Sequence, residues 1–101
     1  MLWRQGDVFI AKVASIPRQV RSRRLGHGIL VHGEATGHSH RIEAPETAVL
    51  FAGDDVLFVE VTARSARIVH EEHGPITLER GAYRVWRQRE YTPQRIIRVV
   101  D

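Results

Sequence analysis

A chain of 101 residues, 43% apolar, with a formal charge of +3 and no cysteine, has room for one domain around one core. It excludes disulfide frameworks and thiolate zinc fingers. No run approaches the roughly 18 apolar residues of a membrane span, and Met1-Leu2-Trp3-Arg4-Gln5-Gly6-Asp7 lacks an apolar secretory segment. The expectation is a single β-rich domain over 1–101, cytoplasmic and away from membranes. Its cations are fourteen arginines and Lys12, interspersed with twelve acidic residues. GC-rich coding accounts for that choice better than one uniformly basic face does.

Asp7–Val13 is the first predicted strand, apolar on both faces, and Pro17 ends it. Arg18, Arg21, Arg23 and Arg24 then fall within seven residues, as a phosphate-binding loop or a solvated connection would. His27–His32 reads as a second strand, and Gly33 to Gly37 as a bulge or turn. A third strand carries His38-Ser39-His40. Further strands are expected at Thr47–Phe51, Val56–Thr62, Arg67–Glu71, Ile76–Leu78 and Tyr83–Arg89. Gly53-Asp54-Asp55 and Glu79-Arg80-Gly81 supply hairpin connections, the first pairing its neighbours antiparallel. Thr92 as cap and Pro93 at the first helical position predict a short C-terminal helix with Ile96, Val99 and Val100 on one stripe. The fold class is mainly β: a small antiparallel β-barrel or sandwich closed by that helix.

Five of six histidines lie in two clusters, His32…His38-Ser39-His40 and His70-Glu71-Glu72-His73. Imidazole is the commonest metal ligand and titrates near neutral pH, so convergent histidines suggest metal binding or pH sensing. On one strand, His38 and His40 share a face with backbones roughly 6–7 Å apart, a gap two side chains can close on one ion. Glu43 stands an odd number of residues from His40 and faces away unless a bulge intervenes. His70 and His73 are three apart and precede Gly74-Pro75, which favours His70 at a strand end and His73 on the loop. The candidate ligands are His38, His40, His70 and His73. Candidate proton acceptors are Glu34, Glu43 and Glu72. His27 and His32 read as surface or loop residues.

Arg4-Gln5-Gly6-Asp7-Val8, Gly33 to Ile42, His70 to Ile76 and Arg89-Glu90-Tyr91-Thr92-Pro93 resemble segments of an uncharacterised family of small bacterial and phage proteins. That resemblance implies a self-contained small protein and no particular activity. His38, His40 and Glu43, with His70 or His73 as a later ligand, also resemble the metal motifs of cupin β-barrels. Glu43 follows His40 too closely for the usual cupin spacing, and no Pro-x-Gly turn precedes the later histidine. This second resemblance implies a barrel-like fold with an interior metal.

Zinc or iron is the expected cofactor, with no organic cofactor indicated. Three imidazoles and a water would leave an open, catalytic or sensing site, whereas four imidazoles would close it. Whether the chain is an enzyme is left open. The rival reading is an accessory module for RNA or protein, using Arg18, Arg21, Arg23, Arg24, Arg87 and Arg89 beside Trp86. For Trp86 the favoured reading is structural: Tyr83 and Val85 face inward and Trp86 covers the other side of the sheet.

Overall fold

β-branched and aromatic residues with two-residue periodicity dominate this chain, and strands follow from them. The structure, a computed structural model, describes residues 1–32 and 37–88. Seven strands form one antiparallel sheet: β1 (Leu2–Gln5), β2 (Val8–Val13), β3 (Ile29–His32), β4 (Ser39–Ile42), β5 (Ala48–Ala52), β6 (Leu57–Val69) and β7 (Ile76–Arg87). Their order is β1-β2-β7-β6-β4-β3. The sheet curls into a half-barrel. β7 runs along one edge of β6. The other edge is shared, with β5 on Leu57–Val61 and β4 on Ile68 and Val69.

The concave face holds the core. Val8, Ile10, Val59, Ile68 and Leu78 are fully buried, and Leu50, Val61, Tyr83 and Val85 nearly so. Burying one such aliphatic side chain contributes about 1.5–3 kcal/mol, against about 0–1 kcal/mol for an exposed ion pair. Apolar burial therefore sets the curl, and the surface charges follow it. Tyr83 donates its hydroxyl to the Glu79 carbonyl at 2.6 Å and meets Trp3 edge-on, so its polar tip is satisfied inside the core. On the convex face, Trp86 stacks on Phe9, in agreement with the structural reading of that tryptophan. Ile16, Val20, Phe51 and Ala82 form a smaller cluster there.

Several expectations from sequence need correction. β1 was missed, although Gly6-Asp7 is a two-residue turn pairing Gln5 with Val8. Glu79-Arg80-Gly81 is not a hairpin connection: β7 runs straight through it, and Arg67–Glu71 is largely the continuation of β6. The two long strands bend together where Thr62, Ala63 and Arg64 stand opposite Arg80 alone, and such a bulge turns a strand without ending it. Gly81 has φ +151° at that bend, a conformation glycine adopts freely. The last strand ends at Arg87 rather than residue 89. The C-terminal helix lies outside the described residues. Among the described residues, helical structure is limited to single 3-10 turns at Arg18–Val20 and Pro45–Thr47, and no helix is long and apolar enough to cross a membrane.

Candidate metal centre

Strand register brings the two histidine clusters together. β4 and β6 pair through Ile42 with Ile68 and Arg41 with Val69, and the same antiparallel register continued past the strand end sets His40 opposite His70 and His38 opposite Glu72. The side chains follow it. His40 and His70 ring centres are 4.2 Å apart, and His38 Nδ1 lies 3.6 Å from a Glu72 carboxylate oxygen. His73, on the loop after His70, has its ring centre 4.7 Å from that of His70 and 6.1 Å from that of His40. His38 stands 5.6 Å from His70. Two imidazoles sharing a tetrahedral ion at 2.0–2.1 Å would have ring centres about 5 Å apart, and these separations bracket that value.

The first hairpin supplies the other wall. Gln5, 2% exposed, donates its amide to the carbonyls of Ile68 at 3.1 Å and Gly74 at 2.8 Å. Both amide hydrogens are thereby used, so Gln5 Oε1 must accept from His40 Nδ1, 2.8 Å away. His40 is thus held with its proton on Nδ1 and a bare lone pair on Nε2, the arrangement in which an outer hydrogen bond orients a metal-ligating histidine. Burial and then the positive charge of His70, with His73 and Arg87 behind it, outweigh Asp7 and lower the His40 pKa from 6.5 to about 4. At neutral pH this ring is an uncharged base. Its Nε2 lies 4.0 Å from Asp7 Oδ1.

Two carboxylates flank the cluster. Asp7 pairs with Arg87 at 2.7 Å. Burial raises its pKa, but that hydrogen bond and charge outweigh burial and hold it below the ordinary range. Glu71 accepts the backbone N–H of Ser39 at 3.1 Å and Arg41 at 3.0 Å. The Ser39 bond, its own backbone N–H and Arg41 lower its pKa to about 2. Glu71 therefore ties β4 to the loop after β6 as a permanent anion. One donor atom each from His38, His70 and Glu71 lies within 4.8 Å of the others. His70 Nδ1 accepts the Glu72 backbone N–H at 3.0 Å, so a cation at this ring must displace either that amide or the proton on Nε2. The four histidines His38, His40, His70 and His73, with Asp7, Glu72 and Arg87, line a cleft of about 210 Å³ that His32 and Val31 also wall.

The remaining candidates are placed elsewhere. Glu43 is not among the residues lining the cleft and pairs with Arg67 at 3.2 Å. Glu34 and Arg89 lie outside the described residues. Arg21 makes a two-pronged contact with Glu60, and Arg23 pairs with Asp54. Arg24 bridges Phe51 of β5, where the Leu25 and Ala52 N–H groups bond across. The arginine-rich segment is thus laid along β5, with Arg18 exposed on its 3-10 turn. His27 turns back on the Ile29 N–H, a local loop role. His32 differs from its surface expectation only in sharing the cleft wall. Sequence reasoning gives Gln5 and Asp7 no role, and it weighs Glu71 only as a base beside a metal-bound water, not as a ligand. The polar pair Gly6-Asp7 between strand-like residues is the signal that could have flagged the first two.

The model of one protein family, described as "Domain of unknown function (DUF8820)", matches residues 4–88. The chain belongs to that family. Neither a curated protein nor a solved structure matches it. The span matched to DUF8820 contains every described cleft residue named above, from Gln5 to Arg87.

Gly6 gives this DUF8820 domain a sharp test of the wall. Its φ of +62° is the left-handed conformation, and an added Cβ would sit 2.7 Å from His73 Nε2. Gly6→Ala is expected to cost about 1–2 kcal/mol from the backbone alone and to push the His73 ring outward. Gly6→Asn, which tolerates that φ better, is expected to recover most of the stability while still displacing His73. Urea titration and histidine NMR shifts separate the two effects.

Proposed function

We propose that the cleft is a divalent-metal centre of a small β domain, drawing on His38, His40, His70 and His73, with zinc or ferrous iron as the resident ion. The observation that carries this reading is the close grouping of His38, His70 and Glu71 donors within 4.8 Å, beside an uncharged His40 whose lone pair is held in place. A set of imidazoles and carboxylates without thiolate suits those ions. Such an ion would supply Lewis acidity or a more acidic bound water. Glu72, exposed at the cleft rim and near His38, is the base placed to accept a proton. The arrangement serves metal-dependent catalysis or metal sensing. The rival reading, an RNA- or protein-binding module, draws less support because Arg21, Arg23 and Arg87 already face carboxylates.

The test is elemental analysis of untagged protein beside a variant carrying His38→Ala and His40→Ala. At least one equivalent of metal, lost in the double variant, is expected. A chain that neither carries metal nor takes up added zinc or iron would overturn the proposal. Salt-dependent polyanion binding in that case would favour the module.

A further inference from the structure

The convex face carries a cationic stack in which the cleft has no part. Two-residue alternation sets Leu2 and Arg4 of β1, Phe9 and Ala11 of β2, and Arg84 and Trp86 of β7 on that one face. The strand register aligns them in two rows, Arg4 beside Phe9 beside Trp86 and Leu2 beside Ala11 beside Arg84. The Arg4 guanidinium lies over the Phe9 ring at 5.3 Å, Phe9 stacks on Trp86 at 5.6 Å, and the Arg84 guanidinium lies over Trp86 at 4.5 Å. Two stacked rings thus carry two guanidinium groups.

Farther along the same face the sheet is covered. Ile16 and Val20 pack with Phe51 and Ala82, and Glu60, opposite Ala82, takes Arg21. The stack itself stays open, with Leu2 60% exposed and Arg4 and Arg84 exposed beside it. Arg4 donates its Nε–H to the Gly6 carbonyl at 2.7 Å, which anchors it. Among the described residues, neither Arg4 nor Arg84 pairs with a carboxylate, and the six residues of the patch include no acid. In this they differ from Arg21, Arg23 and Arg87. A partner for this patch must bring negative charge and planar apolar surface together. Single-stranded nucleic acid brings both, since its phosphates meet guanidinium N–H groups while its unpaired bases stack on aromatic rings or guanidinium planes. An acidic peptide brings the charge without the planes, and a duplex keeps its base faces stacked inside. A guanidinium already resting on a ring also has less freedom to lose on binding.

We infer that the open part of the convex face binds single-stranded nucleic acid, with Arg4 and Arg84 on two phosphates and Phe9 and Trp86 against the bases. The inference is independent of the metal centre and gives the domain a macromolecular partner. Arg87, next in the chain after Trp86, lines the cleft, so the strand platform and the cleft lie on opposite faces at the end of β7.

The experiment is fluorescence anisotropy of a labelled thymidine or uridine dodecamer titrated with the full native chain at stepped salt, with tryptophan emission followed alongside. Trp3, packed on Tyr83 in the core, is the constant background to Trp86. Binding of either strand is expected, with a slope of log affinity on log salt of about −1.4, from about −0.7 for each of two phosphates. Trp86 emission should be quenched. Arg4→Gln and Arg84→Gln should each reduce the slope to about −0.7, and Trp86→Leu should weaken binding about tenfold. Arg18→Gln, on the 3-10 turn, should bind as the native chain does. No binding at low salt overturns the inference and leaves the metal centre standing. Binding that both arginine variants leave unchanged, or that does not alter the emission, places the contact elsewhere and overturns it. A duplex bound as tightly as the single strand, or polyglutamate competing equally well, identifies a general polyanion surface and overturns the strand platform. The emission and the duplex comparison use the native chain, so they decide the matter even if a variant fails to fold.

Discussion

Gln5→Leu is expected to destabilise the protein by about 2–4 kcal/mol, although it replaces a polar residue in an apolar setting by an apolar one of similar size. The bonds of Gln5 explain the sign. Its side chain joins the first hairpin to the Ile68 carbonyl of β6, the Gly74 carbonyl of the following loop and His40 of β4. Leucine gains apolar contact but strands the buried Ile68 carbonyl and the His40 Nδ1–H, and an unsatisfied buried group costs about 1–3 kcal/mol. The tautomer of His40 is expected to change as well. With its acceptor gone, the ring proton is free to move to Nε2, the atom facing Asp7, and metal affinity should fall with it. Urea denaturation measures the first effect, and nitrogen-15 shifts of the His40 ring measure the second. Stability within 0.5 kcal/mol of the native chain, or an unchanged Nδ1–H tautomer, would show that Gln5 does not organise the cleft.

The metal-free protein is expected to lose about 3 kcal/mol of stability as pH falls from about 6.5 to 4. His40 has an ordinary pKa of 6.5 and a folded value of about 4. Between those values the unfolded chain binds a proton that the folded chain refuses, so acid favours unfolding. The contribution is fully present above pH 6.5 and is lost as pH drops through the folded pKa. A shift of about 2.5 units at 1.36 kcal/mol each sets the magnitude. Glu71 acts in the same direction over a lower window. Its folded pKa of about 2 lies beneath the ordinary 4.5, so its share is present above 4.5 and lost below. Chemical denaturation at stepped pH with chelator present checks the slope. His40→Asn should flatten it between 6.5 and 4 while leaving the lower window intact. A native curve without slope above pH 4.5 would mean that His40 is charged in the folded chain.

Much of the sheet was legible locally. Val8–Val13 carries the apolar pattern of a central strand, and Gly53-Asp54-Asp55 marks the connection that pairs β5 with β6. The same local reading misjudged Gly81, because a glycine signals a departure from ordinary φ without saying whether the chain turns or only bends. Leu2–Gln5 escaped notice because four residues ending in arginine and glutamine show too little alternation to stand as a strand alone. They form one only by pairing with β2.

For the site, residue type and spacing marked His38, His40, His70 and His73 as potential ligands. Nothing local could show that the two clusters meet. Their meeting depends on the β4–β6 register, since a slip of one residue would turn His40 to the other face. Gln5 is further removed, acting on groups 35, 63 and 69 residues away, and its role exists only because the sheet curls until the first hairpin touches the end of β6. Sequence by itself determined the central strands, the β5–β6 connection and the stock of metal-binding side chains, because these follow from short-range periodicity and chemistry. The tertiary structure decided which of those side chains share a cleft, which histidine stays neutral and which nitrogen carries its proton. Those properties come from burial and from hydrogen bonds between strands distant in sequence, and no local pattern contains them.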